Sequence, residues 1–312
     1  MCPTLEIVSV NLSLNKGTVK QPVVQAAIDS GGVAGDAHAG PGHRQVSLLG
    51  QASIDRFAQR LGRPILPGEF GENLTVRGLD PAGVAVLDRF RFGPVELEVT
   101  QIGKRCHGQG CAIFQQVGQC VMPLEGVFCR VMHGGLVAAG AAGELLPRPF
   151  RFRILTLSDR AAAGVYEDRS GPRARELIET WLVGKRWHAE IETKILPDDA
   201  EQLRGEVLRA KADAVDVVIT TGGTGVGPRD ITPETVAALS DKIIPGIMEH
   251  IRVKFGAAKP NALLSRSIAA VAGTTQIYTL PGSVRAVEEY LGEILLTLEH
   301  LVLMLHGIDS HG

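Results

Sequence analysis

Thr220-Thr221-Gly222-Gly223-Thr224-Gly225-Val226-Gly227-Pro228-Arg229-Asp230 decides how the second half of this chain is read. The run 215–219 before it, apolar except for Asp216, predicts a buried strand. Thr232-Pro233-Glu234 after it predicts a helix start, with threonine as N-cap and proline at the first helical position. A strand, a loop of small residues and then a helix is how α/β proteins hold phosphates. Glycines let backbone N–H groups approach an anion, threonines add hydroxyl donors, and the helix N-terminus adds positive potential. No Gly-Lys-Ser/Thr follows, so this is not a Walker loop. A Gly-rich turn without a ligand is the plainer alternative; four glycines, three threonines and a terminal Arg-Asp weigh against it.

The same grammar extends on both sides. Strands are predicted over 152–157, 191–196, 215–219 and 276–280, and helices over 172–182, 199–211, 233–239, 246–255 and 283–305. The last helix carries Val284, Val287, Leu291, Ile294, Leu298, Leu301 and Leu305 on one stripe, with Gly307 as its C-cap. Alternating strands and helices predict a three-layer α/β domain with a mostly parallel sheet covered on both faces. Each predicted strand ends in a polar loop: Ser158-Asp159-Arg160, Pro197-Asp198-Asp199, the Gly/Thr loop, and Pro281-Gly282-Ser283. Ligands of open α/β sheets bind at that edge, so Asp159, Asp198, 221–230 and Gly282-Ser283 are expected to converge on one pocket.

Pro147-Arg148-Pro149 reads as a boundary, because two prolines interrupt a continuing helix or central strand. It divides the chain into domains 1–147 and 148–312. Before it, short apolar runs broken by glycine (6–10, 45–49, 85–87 and 95–100) predict a β-rich, barrel-like domain with one clear helix, 51–61. A chain of 312 residues suits two domains. Its formal net charge of −2 gives no basis for nucleic-acid or membrane binding, and the N-terminus has no basic or apolar signal region. Five cysteines are few and odd in number, which predicts reduced thiols and a cytoplasmic protein rather than a disulfide framework.

A phosphate cradle beside carboxylates suggests a nucleotide with Mg²⁺, which takes one or two carboxylates, water and phosphate oxygens. Asp198 and Asp230 are the candidate ligands. Each has a plainer role open to it: Asp198 as the N-cap of the next helix, Asp230 as the close of a turn before Thr232. Arg229 suits a phosphate or a neighbouring acid. This half has no cysteine and no evident nucleophile, which favours direct attack by one bound substrate on another.

These motifs, with Gly164–Gly171, Pro245-Gly246 and Leu264-Ser265-Arg266, resemble the MogA/MoaB family over essentially all of 151–305. The resemblance implies molybdenum cofactor biosynthesis: adenylylation of molybdopterin, in which the pterin's terminal phosphate attacks the α-phosphorus of Mg-ATP and pyrophosphate leaves. It places the catalytic aspartates on Asp198 and Asp230, the phosphates along Thr221, Gly222, Gly223, Thr224 and Gly225, and cofactor contacts at Ser158 and Asp159. Ser265, Pro281, Gly282 and Ser283 would line the pterin side. It also implies a homo-oligomer, trimer or hexamer. A carrier that binds the cofactor without turning it over is the alternative.

In the first half, Cys106, Cys111, Cys120 and Cys129 include no Cys-x-x-Cys pair, and their intervals do not match common zinc sites. Cys129, between Phe128 and Arg130, reads as a buried small hydrophobe. Cys106, after Lys104-Arg105 and before His107, is the candidate reactive thiolate, because nearby positive charge lowers a thiol's pKa. Gly32–His38, Arg44–Leu49, Pro67–Leu74 and Gly103–His107 resemble the MOSC domain of molybdenum cofactor sulfurases, over roughly 5–146. That resemblance implies that Cys106 carries sulfur or ligates molybdenum, and that His38, His43 and Arg44 orient the pterin phosphate. Each histidine has the alternative of an ordinary polar or satisfied position, and Glu72-Asn73 that of stabilising a turn. A molybdenum insertase or cysteine desulfurase partner, and the pyridoxal phosphate associated with the family, are further expectations of the resemblance.

Overall fold

The computed structural model describes residues 4–104 and 120–308, and the chain divides into two units between Arg148 and Pro149. The first unit is built from β1 (Leu5–Leu12), β2 (Gln21–Val23), β3 (Gln25–Asp29), β4 (Gly32–Val33), β5 (Val46–Gly50), β6 (Leu74–Arg77), β7 (Arg89–Phe92), β8 (Val95–Ile102), β9 (Val127–His133), β10 (Gly135–Ala138) and β11 (Ala142–Leu146). Strands β11, β7, β8, β9, β5, β6 and β1 hydrogen-bond in that order. β1 then pairs back onto β11, so among the described residues seven strands close a barrel. Closure leaves no open edge in that ring. Strands β10, β3 and β4 form a separate small sheet.

Ile7, Leu48, Val76, Phe90, Leu97, Val127 and Cys129 are fully or almost fully buried in one apolar core. Burial, together with the charge of Glu98, pushes the Cys129 thiol well up, so it packs as a small hydrophobe. Helix α1 (Gln51–Leu61) spans the predicted residues, and its Ile54 and Phe57 join Phe70 and Met122 of α2 (Met122–Glu125) in a second apolar cluster. Residues 85–87 are not a strand. Leu87 sits in a turn at φ +73°, and the buried Asp88 accepts the Ala85 N–H at 2.7 Å. A buried turn needs the same apolar residues as a short strand, and three positions are too few to separate the two patterns.

One buried carboxyl in this unit makes a testable statement. Glu72 Oε1 accepts the Gly68 N–H (2.6 Å) and the Thr75 hydroxyl (2.8 Å), while Oε2 has no hydrogen-bond partner. Burial lifts the carboxyl above the ordinary glutamate value of 4.5, outweighing the hydrogen bonds that lower it. The folded state then holds the proton more tightly than the unfolded chain. Its contribution is fully present below 4.5 and is lost as pH rises through the folded value. Glu72→Gln should therefore flatten the stability–pH curve above that point and raise the melting temperature at neutral pH. A lower melting temperature at neutral pH would mean that the ionised carboxylate, facing Lys20, supports the fold.

The second unit contains β12 (Pro149–Leu157), β13 (His188–Leu196), β14 (Val217–Thr221), β15 (Lys242–Ile243), β16 (Ala269–Ala272) and β17 (Thr275–Leu280), in the order β13-β12-β14-β17-β16-β15. Pro149 is the first residue of β12, a position at which a strand tolerates proline. The first three pairings are parallel and the last two antiparallel. The sheet is mixed, where a mostly parallel one was expected. The short run Ala269–Ala272 gives no strand signal, and the tight turn at Gly273 (φ +64°) sends β17 straight back along β16. So short a link permits only an antiparallel pair.

The helices are α3 (Asp159–Ala162), α4 (Ser170–Leu182), α5 (Ala200–Ala212), α6 (Thr232–Ala237), α7 (Pro245–Gly256), α8 (Val284–Ile294) and α9 (Leu298–Leu305). Side chains alternate along β12. Leu155 and Leu157 pack with Leu203, Val207 and Val236 of α5 and α6, whereas Phe150 and Phe152 meet Trp181 of α4. Helices therefore cover both faces. The stripe expected on one helix over 283–305 lies on two, α8 and α9. At the break, the Thr297 hydroxyl donates to the Ile294 carbonyl (3.3 Å) and Gln276 Nε2 donates to the Leu298 carbonyl (3.3 Å), competing with helical bonds. After α9, Gly307 takes φ +67°; its N–H reaches Met304 O and the Ile308 N–H reaches Leu303 O, the double bond of a glycine-ended helix. Among the described residues, no helix is long and apolar enough to cross a membrane.

Candidate functional site

Parallel pairing aligns the ends of four strands. Leu157 lies opposite Leu196, Thr156 opposite Thr221, and Thr221 opposite Leu280. The loops that follow are therefore neighbours. Three of them place an oxygen at the N-terminus of the next helix. Ser158 caps α3 through the Ala161 N–H (3.3 Å), Asp199 caps α5 through Gln202 N–H (2.8 Å), and Ser283 caps α8 through Ala286 N–H (3.2 Å). The cap of α5 is Asp199 and not Asp198, because the Asp198 carboxylate turns toward the loop after β12. Asp159 N donates to Asp198 Oδ2 (3.3 Å) and Asp198 N donates to Asp159 Oδ1 (3.0 Å).

The Gly/Thr loop is held in shape by close packing. Gly222 has φ +100°, and a Cβ there would collide with the Leu157 carbonyl oxygen. Thr232 is the first residue of α6 rather than its N-cap, which is Ile231. Its hydroxyl donates to Gly222 O (3.0 Å) and its N–H to Gly223 O (3.0 Å), so it closes the loop instead of capping the helix. Asp230 folds back similarly: Oδ2 accepts the Gly227 N–H at 2.8 Å. Arg266, to which no role was given from the sequence, braces the whole loop. Its Nε donates to Gly225 O (2.5 Å), Nη2 to Asp230 O (2.7 Å), and Nη1 reaches Glu234. It lies 36 residues from Asp230 in the chain, so its motif marks the residue but not its contact with the loop.

Burial raises the Asp198 carboxyl above its ordinary value, and the charge of Asp230 adds to the rise. Of the two partners open to Arg229, a phosphate and a neighbouring acid, the structure pairs it with Asp159, with Asp198 Oδ2 at 3.8 Å.

Besides a cavity of about 500 Å³ against Val226, Gly227, Asp230 and Arg266, two further cavities border this loop. One, of about 380 Å³, is lined by Ser158, Thr221, Gly282, Ser283, Arg160 and the start of α4. Here Asp168 accepts from the Ser170 N–H (2.9 Å), the Gly171 N–H (3.1 Å) and the Thr156 hydroxyl (2.7 Å), and Ser170 Oγ lies 2.8 Å from Thr221 Oγ1. Asp168, Ser170 and Arg160 had no assigned role; only their presence in a recognisable motif marked them. The other cavity, of about 500 Å³, is lined by Gly223, Thr224, Gly225, Asp230, Ser265 and Pro281, and again by Gly282 and Ser283. The residues expected in a single pocket are thus divided among cavities, and these two share the Gly282-Ser283 wall. Asp159, Asp198 and Gly222 lie in neither lining. The first two are turned onto each other, and Gly222 N–H donates to Leu280 O (2.9 Å) beneath the loop.

In the first unit, Cys106, His107 and Cys111 lie outside the described residues, whereas Cys120 is half-buried. His38 Nδ1 is 3.3 Å from Asp36, itself paired with the buried Lys20 at 2.7 Å. The His43 carbonyl accepts the Thr100 hydroxyl, and Arg44 is exposed. Glu72 holds the loop at Gly68, and Asn73 ties Ser47 to the Asn11 carbonyl. Among the described residues, no cluster of three or more His, Cys, Asp or Glu could hold a metal ion.

Residues 153–300 match the model of the "probable molybdopterin binding domain", and residues 34–142 match that of the MOSC domain. The chain is 32% identical over 155 residues to a molybdopterin adenylyltransferase of Helicobacter pylori, covering 49% of this chain and 86% of that one. The chain belongs to the molybdopterin-binding domain family. To the gephyrin of Dictyostelium discoideum it is 35% identical over 154 residues, 48% of this chain but 21% of that protein, so it spans about a fifth of that relative. A solved structure of MogA is 36% identical, with a TM-score of 0.46, covering 50% of this chain and 99% of that one. Ahead of its molybdopterin-binding domain, the chain carries a MOSC domain.

Proposed function

We propose that this protein acts in molybdenum cofactor biosynthesis, and that its molybdopterin-binding domain transfers an adenylyl group from ATP to molybdopterin. One observation carries the reading: two cavities of small-molecule size share a wall, and one loop runs from the first (Thr221) to the second (Gly223–Gly225). Two phosphate-bearing ligands seated in them meet end to end at the glycines. The smaller cavity suits the nucleotide, with Arg160 and the hydroxyls of Ser158 and Thr221 around it. The larger, with Ser265 and Pro281, suits the pterin.

The terminal phosphate oxygen of molybdopterin attacks the α-phosphorus of ATP, the bond to the β-phosphate oxygen breaks, and pyrophosphate leaves. The chain's part is to hold the two reactants in line and to offset their repulsion through backbone N–H groups. Asp198 and Asp230 would hold Mg²⁺: both are oxygen donors, the charge of one raises the carboxyl of the other, and one or two carboxylates with water and phosphate oxygens suit magnesium. When bound, the ion supplies charge neutralisation between the phosphates. Arg229, released from Asp159, is placed to answer a phosphate instead. The MOSC domain handles the cofactor or its sulfur through Cys106, in exchange with an insertase or desulfurase, and the protein assembles as a trimer or hexamer.

The purified protein, incubated with molybdopterin, ATP and Mg²⁺, should yield adenylyl-molybdopterin and pyrophosphate in equal amounts. Tight pterin binding without product would make it a carrier.

A further inference from the structure

Tyr290 sits on the inner face of α8, between Val287 and Ile294, and is 3% exposed. Its hydroxyl is buried without a hydrogen-bond partner, and the residue lines the 500 Å³ cavity that Ser265 and Pro281 also line. A tyrosine hydroxyl taken out of water ordinarily finds a partner. Tyr278, the other buried tyrosine of this unit, follows that rule, donating to Gln276 Oε1 at 2.7 Å. Several polar groups of the cavity are already engaged. Arg285 and Lys259 share Glu289 (2.8 and 3.9 Å), Ser265 bonds Ser267 (2.9 Å), and Ser283 caps α8. A phenol can donate and accept at once. A phosphate uses only the donor, whereas the edge of a heterocycle, which offers acceptors and donors side by side, can use both.

We propose that Tyr290 is a specificity-determining residue of the larger cavity, hydrogen-bonding the ring edge of the pterin. The identity of the ligand rests on the adenylyltransferase reading; the existence of a ring-edge site does not. A pterin presents a lactam carbonyl, ring N–H groups and an exocyclic amine along one edge, any of which completes the hydroxyl. The same group that is costly in the free protein becomes satisfied on binding, so it discriminates between ligands that reach it and those that do not.

The test is Tyr290→Phe in the full chain, which keeps the ring and removes only the hydroxyl. Three quantities are measured: equilibrium binding of molybdopterin, the KM values for molybdopterin and ATP, and the melting temperature of the free protein. The expected result is about tenfold weaker molybdopterin binding and a KM raised to match, with kcat and the KM for ATP unchanged. The free protein should melt at the same temperature or higher, because an unsatisfied hydroxyl has been removed. Unchanged molybdopterin binding would overturn the proposal. So would a lower melting temperature with binding intact, which marks a structural hydroxyl, or a rise in the KM for ATP alone. If the wild type binds molybdopterin but makes no product, the adenylyltransferase reading fails while the binding comparison still decides the role of Tyr290.

Discussion

Asp230→Asn is expected to lower the rate of adenylyl transfer by a factor of about 10² to 10³, the size typical for loss of one electrostatic group at a reacting centre. The substitution is nearly isosteric. An asparagine oxygen can still accept the Gly227 N–H that Asp230 Oδ2 takes at 2.8 Å, so the turn 227–230 is preserved and the melting temperature should move little. What disappears is a charge at the edge of the larger cavity, where the two phosphate chains would meet. Binding of ATP without Mg²⁺ should hold or tighten, because a negative group near the phosphates is removed. The gain that Mg²⁺ normally adds should fall. Titrating ATP with and without Mg²⁺ on both proteins, alongside single-turnover product formation, separates these effects. A variant that keeps more than about a tenth of the wild-type rate would remove Asp230 from the reaction.

Gly222→Ala should be the most damaging single change in the loop. At φ +100° an alanine is strained in the backbone, and its Cβ would also meet the Leu157 carbonyl oxygen on the neighbouring strand. Neither atom can yield cheaply, because the Gly222 N–H is bonded to Leu280 O and Leu157 belongs to the buried central strand. A loss of about 3 kcal/mol of stability is expected, with loss of ligand binding at both cavities. Both tryptophans of the chain, Trp181 and Trp187, lie in this unit, so fluorescence-monitored urea unfolding reports on it alone. A loss below about 1 kcal/mol would show that the loop relaxes around the new methyl group.

The strands and helices around the loop were legible because each carries a local pattern. Four of the five residues before Thr220 are apolar, the helices repeat apolar residues at helical spacing, and Gly307 ends α9 through its left-handed backbone. Local pattern failed where two structures need the same residues. Apolar residues 85–87 serve a buried turn pinned by Asp88, and Ala269–Ala272 serves a strand although alanine favours none. Capping failed by a single position twice. Asp198 and Asp199 offer the same carboxylate to α5, and only the approach of Asp159 takes the first away. Thr232 could cap α6, but Gly222 O takes its hydroxyl.

By itself, the sequence determined that this chain joins a β-rich half to an α/β half, and that the second half ends its strands in polar loops, two of them bearing glycine. Those features follow from side chains acting on their own backbone and near neighbours. Only the tertiary structure decided that the barrel closes through β1 and β11, that Arg266 braces the loop, that the loop divides two cavities rather than lining one, and that the Tyr290 hydroxyl is left without a partner. Each of these depends on which distant groups packing brings together. Hydrogen-bond satisfaction is settled between such groups, where no spacing along the chain records it.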